Sequence, residues 1–249
     1  MIKLDNVTKI FNRGKANEIK AITNITLNIV EQDYLVIVGS NGSGKSTLLN
    51  LIAGSTLPST GDIEINGHPV THLHDYQRSR WIARVFQNPL SGTAPDLSIL
   101  DNFRLAALRT KNKGFNIGTN INFKKQVQEK ISILNMGLEN KLEQPMGTLS
   151  GGQRQALTLL MSVMDECKVL LLDEPTAALD PRSAKLVMQT ANRLINEFKL
   201  TAILITHNLK DAHAHGNRLI QMVEGEILQD YPNEKKLNLT QNDVFAWFS

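Results

Sequence analysis

Cysteine is almost missing from this sequence: Cys167 is the only one in 249 residues. A lone thiol excludes an internal disulfide and any four-cysteine zinc site, so a reducing compartment is the expectation. A strong charge of one sign is also lacking. Lys plus Arg at 27 against Asp plus Glu at 24 leaves +3, too small an excess to imply a nucleic-acid partner, and none is expected. Long apolar runs are missing too. YLVIV and VLLL are the longest, far below the roughly 18 to 20 residues that span a bilayer. The first residues, MIKLDNVTKIF, alternate charged and apolar and lack the unbroken apolar segment of a secretory signal, so no leader is expected. Nor is there an internal repeat, a long charge block or a low-complexity linker. What remains is an ordinary globular balance, 41% hydrophobic and 20% charged, which excludes a disordered or collagen-like chain. The length suffices to bury a full α/β core as one large domain or two small ones.

Period-two patterning in IKLDNVTKIF and AITNITLNIV, around a loop of Gly, Asn and Lys, predicts paired antiparallel strands. Tyr34 to Val38 is a short apolar run ending in glycine, the pattern of a buried strand entering a tight turn. Lys45 to Ala53 then reads as a helix. Strands are predicted in DIEIN, in the segment running on to Leu73, and at Ile82 to Phe86. The middle third differs: Ser98 to Arg109, Phe123 to Asn135 and Ser150 to Asp165 carry apolar residues at helical spacing, separated by polar loops such as KNKGFNIGTN. A helical subdomain is expected there. Two further buried strands, KVLLLD and TAILIT, flank a helix opening at Asp180 and Pro181, which is βαβ grammar. IQMVEGEILQD reads as a hairpin, and 240–248 as a short helix.

Three segments carry chemistry. Gly39, Ser40, Asn41, Gly42, Ser43, Gly44, Lys45, Ser46 and Thr47 spell GSNGSGKST, a phosphate-loop pattern placed after a predicted strand and before a predicted helix. Glycines let successive N–H groups turn toward a phosphate, and the helix N-terminus adds positive potential. Lys45 is expected on the β- and γ-phosphates, and the Ser46 hydroxyl on Mg2+, which takes oxygen ligands. VLLLDE sets Asp173 and Glu174 at the C-terminal end of a buried strand, where open α/β sheets bind ligands. Asp173 suits a metal, and Glu174 an attacking water. Alone, such an acidic pair is commonly a solvated turn; beside a phosphate loop it reads as functional. LSGGQRQ presents Ser150, Gly151, Gly152 and Gln153 at the opening of a long helix, either an ordinary cap or an anion-binding N-terminus.

Together, GSNGSGKST, LSGGQ and VLLLDE resemble the nucleotide-binding subunit of ATP-binding cassette (ABC) proteins. The resemblance runs from Met1 to about Gln229. It implies an α/β fold, a P-loop NTPase core of ABC ATPase type with an antiparallel β subdomain and an inserted α-helical subdomain. It also assigns Phe11 to adenine stacking, in place of the more frequent Tyr. Gln87 falls at the Q-loop, where its amide reaches Mg2+ or the attacking water. AALD at 177–180 is the D-loop, and His207 the switch histidine on the γ-phosphate. The catalytic set implied is Glu174, His207, Gln87 and Lys45; the metal set is Ser46, Gln87 and Asp173. ATP and Mg2+ are the cofactors. In this family the LSGGQ of one subunit closes over the phosphate loop of another, so a second ABC subunit, here with both half-sites intact for a homodimer, is the expected partner.

The domain reading is an ABC ATPase domain at 1–229, with the helical subdomain at about 88–160, and a short tail at 230–249. Without a spanning segment, the expected role is a cytoplasmic ATPase, peripheral on the inner face of the membrane, that energises a separate integral-membrane permease. SGTAPDLSILDN, within 87–106, resembles bacterial import ATPases that work with extracytoplasmic substrate-binding proteins, some for amino acids. The alternative is a soluble ABC ATPase of protein assembly, such as iron–sulfur cluster biogenesis. The segment from Gln87 to Leu149 is too short for the coiled coil of chromosome-maintenance members, and the length excludes the tandem translation factors. His68, His72 and His74, in the predicted hairpin, match no metal spacing. Lys111, Lys113, Lys124 and Lys125 read as a solvated face, Trp81, Trp247 and Phe248 as packing, and Cys167 as inert.

Overall fold

Side-chain alternation along short β-branched strands divides the core between two faces. The computed structural model describes residues 1–109 and 119–247; Lys111, Lys113 and Phe248 lie outside them. β1 (Ile2–Phe11) and β2 (Ile19–Ile29) pair antiparallel, as their patterning predicts. After β3 (Tyr34–Val38) comes α1 (Lys45–Ala53), bracketed by Gly44 and Gly54 in left-handed conformations that stop the helix at both ends. β4 (Thr60–Ile65) and β5 (His68–Pro69) complete a four-stranded sheet ordered β2-β1-β4-β5. The predicted second strand is only that two-residue β5. His74 instead stands at the N-cap of α2 (Asp75–Arg78), its N–H donating to Gln77 Oε1 at 3.0 Å, so the three histidines belong to different elements.

β6 (Ile82–Val85) leads into a mainly helical stretch holding α3 (Ile99–Ala106), α4 (Ile121–Ser132) and α5 (Gly151–Ser162). Each of these helices ends about three residues before its predicted end. α4 also opens earlier than its apolar spacing implies, because Asn120 caps it by accepting from the Phe123 N–H. Lys124 of α4 pairs with Glu143 at 2.8 Å. β7 (Val169–Asp173), α6 (Pro181–Glu197) and β8 (Thr201–Ile205) form the βαβ unit read from sequence. Asp180 accepts from the N–H groups of Arg182 and Ser183, with Pro181 in the first turn. α7 (Leu209–Ala214), the hairpin β9 (Arg218–Val223) and β10 (Glu226–Tyr231), α8 (Asn233–Lys236) and α9 (Gln241–Ala246) finish the chain.

The second sheet has six strands ordered β10-β9-β3-β8-β7-β6, parallel from β9 to β6. Val36, Leu170, Leu172 and Leu204 face the cluster of α3 to α6. Their sequence neighbours Leu35, Ile37, Leu171 and Ile203 face α1 and the first sheet. Each such side chain, fully buried, contributes roughly 1.5–3 kcal/mol relative to exposure. Trp81 and Trp247 pack against the two clusters, as expected. Cys167 is partly buried, and burial pushes its thiol pKa up, which disfavours the reactive thiolate. Because β3, β8, β7 and β6 run parallel and adjacent, the loops after them open on one edge of the sheet. That edge carries the chemistry.

Candidate active site

The loop after β3 is GSNGSGKST. Gly44 sits at φ 96°, and a Cβ there would meet the carbonyl of Ala21, so only glycine lets the loop pass β2 and enter α1. The Gly225 N–H, in the β9–β10 turn, donates to the Ser43 carbonyl at 3.1 Å and fixes the loop from the other side. Lys45 is buried. Its Nζ donates to the carbonyls of Gly39 and Ser40 at 2.8 and 2.9 Å, folding the ammonium over the loop. Burial lowers its pKa, and the charges of Glu174 and then Asp173 oppose that shift. The lysine therefore lies within electrostatic reach of both carboxylates. Among the described residues Ser43 Oγ is buried without a hydrogen-bond partner, whereas Ser46 is exposed.

Asp173 ends β7, two strands from β3, and Glu174 follows at φ 46°. A non-glycine residue there is strained, a state that persists where the surroundings impose it. Here the Glu174 N–H donates to the Ile205 carbonyl at 3.0 Å. Its Oε2 lies 3.1 Å from Nδ1 of His207, which follows β8. The pair sets a carboxylate beside an imidazole able to orient it. Asp173 Oδ2 accepts from Arg84 of β6 at 2.6 Å, and Arg84 also donates to Asn50 Oδ1 of α1 at 2.7 Å. A hydroxyl at Ser46, a carboxylate at Asp173 and an amide at Gln87 are all hard oxygen donors. That donor set fits magnesium and not a thiophilic metal.

Lys45, Asp173, Glu174 and His207 are thus brought together. Gln87 is exposed in the loop after β6, on the same edge. Phe11 stands at the end of β1, 37% exposed, with Lys9 Nζ 5.0 Å from its ring centroid. Ser150 to Gln153 stand apart. Ser150 Oγ accepts from the Gln153 N–H while Gln153 Oε1 accepts from the Ser150 N–H, a reciprocal cap closed on itself. A Cβ on Gly152 would strike Ser183, so this residue lets α5 approach the first turn of α6. Among the described residues no hydrogen bond joins these four to the phosphate loop.

Three residues escaped the sequence reading. Arg84 and Asn50 brace Asp173, and Gln155 donates to the Phe86 carbonyl at 2.8 Å, anchoring the entry to Gln87. The signal for Arg84 was legible: a charge inside the apolar strand IARV. The other two have no local signature.

The family model described as ABC transporter matches residues 22–177. The tyrosine transport ATP-binding protein of Clostridioides difficile (strain R20291) is 36% identical over 255 residues, covering 100% of this chain and 98% of its own. The phosphonates import ATP-binding protein PhnC of Rhizobium meliloti (strain 1021) is 32% identical over 233 residues, 92% of this chain and 81% of its own. Among solved structures, a dimeric ATP-binding cassette in a post-hydrolysis state bound to ADP and Pi superposes with a TM-score of 0.80 at 30% identity. It covers 94% of this chain and 99% of its own.

Proposed function

This chain belongs to the ABC transporter family and is an ATP-hydrolysing subunit of an ATP-driven transporter, and from that premise we propose that it energises import through a separate membrane permease. The observation that carries the catalytic half is the convergence of Lys45, Asp173, Glu174 and His207 on one sheet edge. Backbone N–H groups of 39–47 and the Lys45 ammonium hold the phosphates. Ser46, Asp173 and Gln87 hold Mg2+, which neutralises phosphate charge when bound. Glu174 positions the attacking water and takes its proton, and His207 orients Glu174 through the 3.1 Å contact. Phe11 offers its partly exposed ring to adenine.

Ser150, Gly151, Gly152 and Gln153 bind the nucleotide held by a second copy of the chain. The exposure of Ser150, and a helix end capped without help from the phosphate loop, support that assignment. Two half-sites per chain make a homodimer with two composite sites, closed by ATP and released by hydrolysis. The domain reading follows the same logic, with the helical region at about 88–160 inserted in an ABC domain at 1–229 and a tail at 230–249.

At Phe86, the residue before Gln87, lies a groove of about 420 Å³, walled also by Tyr76, Ala106 and Met161. It supports permease docking because it joins the Q-loop entry to the helical region. Among the described residues no helix is long and apolar enough to cross a membrane, which fits a subunit peripheral on the inner face. The tyrosine transport relative supports an amino acid as solute, and the resemblance of SGTAPDLSILDN to import ATPases supports delivery by an extracytoplasmic substrate-binding protein. Affinity capture of the tagged chain from detergent-solubilised membranes tests the proposal. A multi-spanning permease with a solute-binding protein is expected. Recovery of soluble assembly factors alone would overturn the transport reading and favour the protein-assembly alternative.

A further inference from the structure

Arg84 is an arginine in a strand whose other residues, Ile82, Ala83 and Val85, are buried. Its side chain is 12% exposed and that of Asp173 is 14% exposed. A charge so withdrawn from water needs close partners to be tolerated. It has three, from three parts of the chain: Asp173 at the end of β7, Asn50 on the helix that the phosphate loop opens, and the Phe86 ring, whose centroid lies 4.7 Å from the guanidinium carbon. Along the parallel β6–β7 ladder Arg84 stands opposite Leu171, so it reaches forward along the sheet to take Oδ2 of Asp173. A planar guanidinium fixed on two acceptors and a ring face has little freedom left, and neither has the carboxylate it holds.

We propose that Arg84 is a positioning residue for this ATPase. It holds Oδ2 of Asp173 against Asn50 of α1, so the carboxylate keeps one orientation toward the phosphate loop and presents its other oxygen to magnesium. The proposal rests on the reading of Asp173 as a magnesium-holding residue. Partners that orient a ligand from behind typically change metal affinity 10- to 100-fold when removed. Lysine is not equivalent to this arginine, because one ammonium nitrogen would have to serve the two acceptors that Nη1 and Nη2 reach separately.

The test is equilibrium binding of a fluorescent ATP analogue to the full chain, titrated with Mg2+ and repeated in EDTA, alongside thermal melts without nucleotide. Arg84→Met is expected to raise the magnesium concentration at the half-maximal effect by about tenfold while binding in EDTA stays within about twofold. Asn50→Ala, which cuts one arm and leaves the ion pair, is expected to shift it in the same direction by less. Asp173→Asn is the reference. If Asp173→Asn raises the midpoint and Arg84→Met leaves it unchanged, or lowers it, positioning is overturned and Arg84 is a structural or competing charge. If Asp173→Asn has no effect either, the magnesium reading of Asp173 itself fails. Should Arg84→Met not fold, Asn50→Ala decides, and an unchanged midpoint there overturns the proposal.

Discussion

The phosphate-loop edge and the opening of α5 are both helix N-termini rich in Ser and Gly, yet the chain treats them in opposite ways. At the first, Lys45 is buried, Gly44 is wedged against β2, and Asp173, Glu174 and His207 arrive from neighbouring strands. At the second, Ser150 and Gln153 satisfy each other, and Gly152 lies tight against Ser183 of α6. A helix end surrounded by its own chain's catalytic groups is a nearly finished half-site. One capped only by itself, with Ser150 exposed, is on the proposed reading open to a ligand brought by another molecule. On the proposed reading the first region carries the chemistry and the second the closure.

Substitutions can break that division, and the largest effect is expected at Glu174. Glu174→Gln should lower phosphate release by ~10³-fold or more, the scale of a lost general base, while ATP binding persists. Gel filtration in ATP should then show a trapped dimer, and a monomer would count against the account. Lys45→Ala should cost ~10²-fold in rate, or roughly 3 kcal/mol of transition-state stabilisation. Unlike the first variant it should also weaken ATP binding, read by equilibrium dialysis. Gly152→Ala sharpens the contrast from the other side. Forcing a methyl onto Ser183 should destabilise the fold by about 1–3 kcal/mol in chemical denaturation, with ATP affinity of the single chain unchanged. The smallest effect is at Asp180, whose carboxyl is held below the usual aspartate range by its hydrogen bonds to Ser183 and to backbone N–H groups. A carboxyl with a lowered folded pKa contributes stability above its unfolded pKa, and that contribution is lost as pH falls through the folded value. The gap in melting temperature between wild type and Asp180→Ala should therefore be full at pH 6 and close on acidification. A gap that does not change with pH would argue against the cap.

Sequence legibility followed the range of the interactions. α1 was readable to the residue because glycines at 44 and 54 punctuate both ends, and the βαβ unit because Asp180 and Pro181 mark a helix start. The histidines at 68, 72 and 74 looked like one hairpin because the capping role of His74 depends on Gln77 turning back to meet it. The Arg84–Asp173 bond spans 89 positions, and only the parallel register of β6 and β7 brings the two together. The motif letters located the phosphate loop and the acidic pair. They did not give the folding of Lys45 onto Gly39 and Ser40, nor the closed cap of Ser150 and Gln153, which depend on side-chain geometry.

The central claim is that the phosphate loop of one chain and Ser150 to Gln153 of another form a single site. It is tested most directly by mixing two inactive variants, Lys45→Ala and Gly151→Asp, and measuring phosphate release. A site built across chains is intact once in every mixed dimer, so activity should return well above that of either variant alone, toward about a quarter of wild type at equal amounts. No recovery, with mixed dimers demonstrated by a size tag on one variant, would mean that each site is built within one chain and would contradict the account.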